Sequence, residues 1–259
     1  MTPRYAEFAP RPDLAPWVAC VWVFEGRDPD EDQRIAPDGR CELIVHLGEP
    51  YLERGEDGVL RRQPPVLFAG QLTRPLHLRA DGEAGVVGVR FHTAGAYAYL
   101  GRSLDGITDA RVALEAGDLR APDEASRLAR VQDHVADRIA AMAVAADPVV
   151  EHCVARLEEG ATVETLWRET GLTPRTLQRR FATRIGVSPR MLGSIVRFRR
   201  VFDALREADA ETWTQAAQAA GYFDHPQMAR DFRRFVGCTP SQFVAARPGL
   251  SASLVDLTA

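Results

Sequence analysis

The stretch "GLTPRTLQRRFATRIGVSP", Gly171–Pro189, decides how this chain reads, because "GYFDHPQMARDFRRFVGCTP", Gly221–Pro240, repeats its skeleton roughly fifty residues later. Each copy has a glycine, an apolar residue, a polar cap, a short amphipathic segment, a second glycine and then Ser-Pro or Thr-Pro. Leu177 can be set against Met228 and each copy turned by about 100° per residue. Leu177 and Phe181 then share an apolar stripe in the first copy, and Met228, Phe232 and Phe235 share one in the second. Opposite those stripes lie Arg175 and Arg179, and then Arg230, Arg233 and Arg234. Arg179 and Arg230 fall at the same place, two residues past the apolar anchor. A helix with an apolar back and an arginine at the centre of its front has the form of a major-groove reader.

Local signals around the two segments agree with that form. Thr173 followed by Pro174 predicts an N-cap and a first helical position. Asp224 with Gln227 three residues on resembles a capping box. Each reader follows a shorter helix and a glycine turn, "VETLWRETG" and "WTQAAQAAG", which is the helix-turn-helix order. Between the units, Ser188-Pro189 opens a helix running to about Glu207, with Met191, Ile195, Phe198, Phe202 and Leu205 on its apolar face. About 19 residues at 1.5 Å each span about 28 Å, close to the roughly 34 Å turn of B-DNA. The expectation is that helices 174–185 and 225–236 are presented to two successive major grooves.

The first hundred residues differ in kind. "WVACVWVFE" (Trp17–Glu25), "CELIVHL" (Cys41–Leu47), "PVLFAG" (Pro65–Gly70), "PLHLRA" (Pro75–Ala80) and "GVVGVRFH" (Gly85–His92) read as strands, separated by "PDG", "GEDG" and "ADGEAG" turns. In the first run both parities are apolar: Val18, Cys20, Trp22 and Phe24 on one face, Trp17, Val21 and Val23 on the other. A strand covered on both sides fits a barrel or sandwich with something packed outside it. From Gly95 the pattern turns helical, ending in a helix from Asp123 to about Ala145, and "ADPVVEH" marks a fresh helix start at Asp147-Pro148. The predicted fold is α+β in two domains. Residues 1–146 form a β-rich sensing or dimerising domain with trailing helices, and residues 147–259 an all-α double helix-turn-helix domain.

Composition narrows the function classes. No apolar run approaches the roughly 20 residues of a membrane span, and the N-terminal "MTPRYAEFAP" has no apolar signal core. Cys20, Cys41, Cys153 and Cys238 are scattered without a CxxC pair, against both a disulfide framework and a zinc cluster. A cytoplasmic protein without membrane association, metal or other cofactor is expected. All 32 basic residues are arginine, which a GC-rich genome explains. The formal net charge is −4, so a nucleic-acid partner requires the arginines to be gathered on one face.

The C-terminal motifs carry a family resemblance. Residues 149 to about 247 resemble the AraC/XylS-type regulators through "TLQRRFATRIGVSPRML" and "GYFDHPQMARDFRRFVGCTPSQF". The resemblance implies a bacterial transcription factor that binds double-stranded operator DNA in a sequence-specific manner and works with RNA polymerase. It implies base reading by Arg175, Gln178 and Arg179 and then by His225, Gln227 and Arg230, with Thr176, Arg233 and Arg234 as further contacts. Gln227 is equally placed to cap its helix, and His225 fits a turn or phosphate position better than a base reader. The chain departs from the pattern at Trp167, where a small residue is usual and where Ala217 keeps that feature in the second unit. Pro226 and Ala229 also deprive the second reader of polar side chains. "PDGRCELIVHLG", "AGQLTRPLHLR" and "VGVRF" resemble the β-rich domain of an uncharacterised subgroup.

In that first half, Glu42 and His46 share a strand parity, and Arg90 lies on a second strand. If those faces line a cavity, Glu42, His46 and Arg90 would meet a small-molecule effector; an outward solvated face gives the same alternation. A homodimer through this domain is compatible with the sequence. Two other readings stand beside the regulator. One is an alkyl-transferring DNA-repair enzyme carrying the same module, with Cys41 as nucleophile. The other is a protein-interaction module that no longer reads DNA. No catalytic motif supports the first, so a non-enzymatic protein is expected.

Overall fold

The computed structural model describes residues 4–27, 33–206 and 212–246. The first half runs β1 (Arg4–Phe8), β2 (Val18–Arg27), β3 (Gln33–Ile35), β4 (Glu42–His46), β5 (Leu52–Arg54), β6 (Leu60–Arg62), β7 (Val66–Ala69), β8 (Leu76–Arg79) and β9 (Glu83–Phe91). A short α1 (Ala96–Leu100), β10 (Arg111–Ala113) and the long α2 (Glu124–Met142) follow. Seven further helices among the described residues form the second half: α3 (Pro148–Glu158), α4 (Val163–Thr170), α5 (Pro174–Ile185), α6 (Pro189–Arg206), α7 (Trp213–Ala219), α8 (His225–Val236) and α9 (Pro240–Ala246). The predicted linker end at Glu207 lies outside the described residues.

Two antiparallel sheets build the β-rich half, in the orders β1-β2-β9-β4-β7-β10 and β3-β8-β5-β6. The doubly apolar second strand is explained by what covers it. Val21, Val23, Leu43, Val45, Val87 and Val89 point to one side, where α1 and α2 supply Tyr99, Leu100, Val131, Val135 and Ile139. Trp22, Phe24, Ile44 and Val86 point to the other, toward Leu78 and Ala80 at the smaller sheet. Trp22 lies flat across β9 because position 88 is glycine: a Cβ there would sit 2.0 Å from the indole.

Two local expectations are corrected. A β-bulge between Val18 and Cys20 breaks the simple alternation of β2, so Val18 joins Val21 and Val23 in the core instead of lying with Trp22. The region after Gly95 is not continuously helical. Gly101 in the left-handed conformation (φ 70°) stops α1 after five residues. The chain then returns as β10 on the free edge of β7, Arg111 opposite Ala69. Asp109, at φ 55°, accepts hydrogen bonds from the Thr73 N–H and hydroxyl at 2.8 and 2.6 Å, which holds that return.

α6 is the spine of the helical half. Its N-terminal part gives Leu192 to a core of Val150, Cys153, Leu157, Leu166, Leu177, Phe181 and Ile185. Farther along, Phe198 and Phe202 pack with Phe232, Phe235, Val236 and Phe243. Ala36, from the turn before β4, is 3% exposed and belongs to this second core. The two halves are therefore packed together and not merely tethered.

Candidate nucleic-acid interface

Each candidate reading helix is built by the local chemistry its sequence advertises. Thr173 caps α5 by accepting from the Thr176 N–H at 3.3 Å, Pro174 occupies the first turn, and Gly186 (φ 88°) closes it. Asp224 caps α8 by accepting from the Gln227 N–H at 2.7 Å, and Gly237 (φ 79°) closes that one. The partner helix α4 is capped by Thr162 and ends at Gly171, while α7 carries a complete capping box between Thr212 and Gln215. Leu177, Phe181 and Ile185 of α5, and Met228, Phe232 and Phe235 of α8, are fully buried. Neither helix presents its arginine front to the interior: Arg175, Gln178, Arg179, His225, Arg230, Arg233 and Arg234 are all exposed.

Those front arginines also differ from their neighbours in forming no ion pair among the described residues. Arg156 pairs with Glu169 at 3.0 Å, Arg180 with Asp147 at 3.2 Å and Arg197 with Asp231 at 2.9 Å. Among the described residues, no carboxylate forms an ion pair with Arg175, Arg179, Arg230, Arg233 or Arg234. α5 and α8 thus carry five exposed guanidiniums with no ion pair among the described residues, on a chain whose net charge is −4. Arg184, which shares the apolar stripe of α5, is used internally: it stacks over Tyr97 at 4.1 Å and donates to the Ala145 carbonyl at 2.8 Å.

Two of the sequence-predicted contacts have internal partners. The Thr176 hydroxyl lies 3.0 Å from that of Thr173, within the cap. The side-chain carbonyl of Gln227 accepts from the Phe223 N–H at 3.1 Å. The capping box expected at Asp224 is thus displaced by one residue, Gln227 reaching back past the cap to the turn. Trp167 is half-buried against the first unit's core, where Ala217 is buried in the second.

A polar triad that the sequence did not reveal links α6 to α8. Asp231 accepts from Arg197 at 2.9 Å and from the Tyr222 hydroxyl at 3.0 Å, and the Arg197 guanidinium stacks on the Tyr222 ring at 4.6 Å. Burial pushes the Tyr222 hydroxyl well above its ordinary range, with Asp231 adding to the effect. Asp231→Ala leaves a half-buried cation without its acceptor. It is expected to destabilise the protein by about 1–3 kcal/mol, measured by urea unfolding; an unchanged midpoint would show that the triad holds nothing.

Both α5 and α8 are anchored at their C-terminal ends by the first half. The Leu104 N–H donates to the Thr183 carbonyl at 2.9 Å, and the Thr108 hydroxyl donates to the Gly186 carbonyl, at the end of α5. Arg34 donates to the Val236 carbonyl at 3.0 Å, at the end of α8. Arg199 of α6 donates to the Asp38 carbonyl at 2.9 Å, and Gly39 faces Leu192 and Ile195 closely enough that a Cβ would lie 3.3 Å from the leucine. The N-terminal ends of α5 and α8, bearing Arg175 and His225, are exposed.

Of the three candidate effector residues, two come together. Arg90 Nε donates to Glu42 Oε1 at 2.9 Å, Arg90 also reaches Glu7 at 3.0 Å, and the Trp22 indole donates to Glu42 at 3.1 Å. Burial pushes the Glu42 carboxyl up and the adjacent Arg90 opposes it. His46 sits apart, at the other end of β4 opposite Val86, about 13 Å away along the strand. Burial pushes its imidazole down to about 4. Cys41, the nucleophile of the enzyme alternative, is 1% exposed. Burial pushes its thiol far up, the reverse of what a reactive cysteine requires.

A helix-turn-helix domain model matches residues 166–246 and a model of a domain of unknown function matches residues 6–113. No curated protein matches the chain. Similar solved structures include ToxT from Vibrio cholerae, 11% identical over 88% of this chain and 98% of that one, with a TM-score of 0.50. ToxT from strain O395 is 11% identical over 88% and 97%, TM-score 0.47. The same protein bound to (E)-4-(8-methylnaphthalen-1-yl)but-3-enoic acid is 12% identical over 91% and 98%, TM-score 0.49. At such identity the first likeness shows a shared two-part fold alone. The chain thus joins a region that matches a domain of unknown function, residues 6–113, to a region that matches a helix-turn-helix domain, residues 166–246.

Proposed function

We propose that the protein is a sequence-specific transcriptional regulator that reads two successive major grooves with α5 and α8. The observation that carries this reading is the pairing of two capped helices whose backs are fully buried and whose front arginines are exposed and form no ion pair among the described residues. α6, with 18 residues, is about 27 Å long, which suits one turn of duplex at about 34 Å. Arg175, Gln178 and Arg179 read the first half-site; Arg230 reads the second, with His225, Arg233 and Arg234 on phosphates. Thr176 and Gln227 contribute through the caps that fix those helices, and Gln227 keeps its amide N–H groups for the duplex. We place the division between the two domains at Asp147, with residues 1–146 setting the relative position of the readers. Any input to the first domain, from an effector or a second copy, would reach the DNA through the contacts at Arg34, Asp38 and Thr108.

The test is selection from random duplexes followed by titration of the recovered site. Arg179→Ala is expected to cost about 1–3 kcal/mol and to relax preference at one base pair, because a bidentate arginine–guanine contact carries that discrimination. Unchanged affinity and unchanged preference would remove Arg179 from the interface.

A further inference from the structure

We infer that Phe223 is a specificity-determining residue that packs against the 5-methyl group of one thymine in the groove read by α8. The inference rests on α8 reading DNA. It begins from a length difference between the two units. Aligned on Leu177 and Met228, the first turn is Gly171-Leu172-Thr173 and the second Gly221-Tyr222-Phe223-Asp224, one residue longer. Leu172 packs against the first core. Tyr222, 5% exposed, does the same work in the second. Phe223 is the additional residue, and it has no core to join: its exposure is 94%, the highest of any large apolar side chain among the described residues.

The exposure is enforced by the backbone on both sides. The Tyr222 N–H donates to the Ala217 carbonyl at 2.9 Å, and its hydroxyl is tied to Asp231. The Phe223 N–H donates to Gln227, and the next residue is the cap of α8. With Tyr222 directed inward and both neighbours fixed, the ring is presented outward at the head of the reader. His225 follows two residues later, the carboxylate of the intervening Asp224 is engaged in capping α8, and Arg230, Arg233 and Arg234 are exposed farther along the same helix. A surface carrying those charges calls for a polyanion. The apolar feature that a duplex offers a phenyl ring in the major groove is the thymine methyl. An acidic protein surface is the competing occupant.

The experiment starts from duplexes selected by the full-length chain out of a random library. Each is resynthesised with deoxyuridine at one thymidine at a time, which removes the methyl and nothing else. The wild type is expected to lose about fourfold in affinity at one position in the second half-site, the value of one buried methyl-sized group. Phe223→Ala should lose that penalty at that position alone, and Phe223→Leu should keep part of it, with melting temperatures unchanged in both. A deoxyuridine profile identical in wild type and Phe223→Ala overturns the inference. So does an unchanged profile with a weakened transcriptional response, which assigns the ring to a protein partner. If the wild type selects no duplex at all, the DNA reading itself falls and this inference falls with it.

Discussion

Replacing Phe198 with alanine is expected to cost the folded protein about 3–5 kcal/mol, the range for truncating a fully buried aromatic. Phe198 is 0% exposed, and its ring lies 5.0, 5.4 and 5.2 Å from those of Phe202, Phe232 and Phe235. The cavity would open where α6, α8 and the turn carrying Ala36 meet. Two of those walls are helices held by their own caps, so the site has little room to collapse, and the upper part of the range applies. Trp213 reports on the event because its ring is 5.4 Å from Phe232. Urea unfolding followed by tryptophan fluorescence, with Val59→Ala on the exposed β5–β6 hairpin as a control expected within about 0.5 kcal/mol, measures it. A loss below about 1 kcal/mol would show that the aromatic cluster does not join the second reader to the spine. The same variant should bind the first half-site and lose preference at the second, since α8 keeps its front arginines but not its support.

What the sequence made legible follows the range of the interactions involved. The helical half was readable because its signals act over three or four residues. Thr173 and Asp224 cap, Gly186 and Gly237 close, and the 100° stripe of Leu177–Phe181 and of Met228–Phe232–Phe235 is internal to each segment. In the first half, β3, β5, β6 and β10 have three residues each, too few for a period of two to stand out. β10 exists only because β7 offers an edge. The parity of β2 was misread because a bulge is a pairing property, visible once β9 lies opposite. Hardest to see was the joint between the halves. Ala36 lies beside a Pro-Asp-Gly turn, and a single methyl group gives no hydrophobic signal, yet it plugs the aromatic core of the second unit. The triad of Arg197, Tyr222 and Asp231 was equally hidden, as three polar or amphipathic residues on two elements. The exposed faces of α5 and α8 were legible, with one exception in kind: periodicity sets Gln227 on the outward face, but its side-chain carbonyl is taken by the Phe223 N–H of the turn.

Affinity for DNA is expected to fall steeply with salt even though the chain as a whole is acidic. The five exposed guanidiniums of α5 and α8 all enter the counterion atmosphere of the duplex, Arg233 and Arg234 on phosphates and Arg175, Arg179 and Arg230 at base edges between phosphates; at about 0.9 of a counterion each, the slope is near −4.5, about a 500-fold loss between 50 and 200 mM salt. The distant acidic groups of the first half do not cancel this, because at 0.1 M charges beyond about 10 Å are largely screened. The internally paired Arg156 and Arg180 add nothing to the slope, since their charges are already compensated by Glu169 and Asp147. Arg233→Ala should therefore reduce the slope by about 0.9 and weaken every sequence alike. Arg179→Ala, by contrast, should change which base is preferred. Fluorescence anisotropy titrations of the selected site at four salt concentrations separate the two behaviours. A slope shallower than about −2 would mean that fewer than three of these charges engage the duplex. Two helices that both present their arginine fronts to the duplex could not give that result.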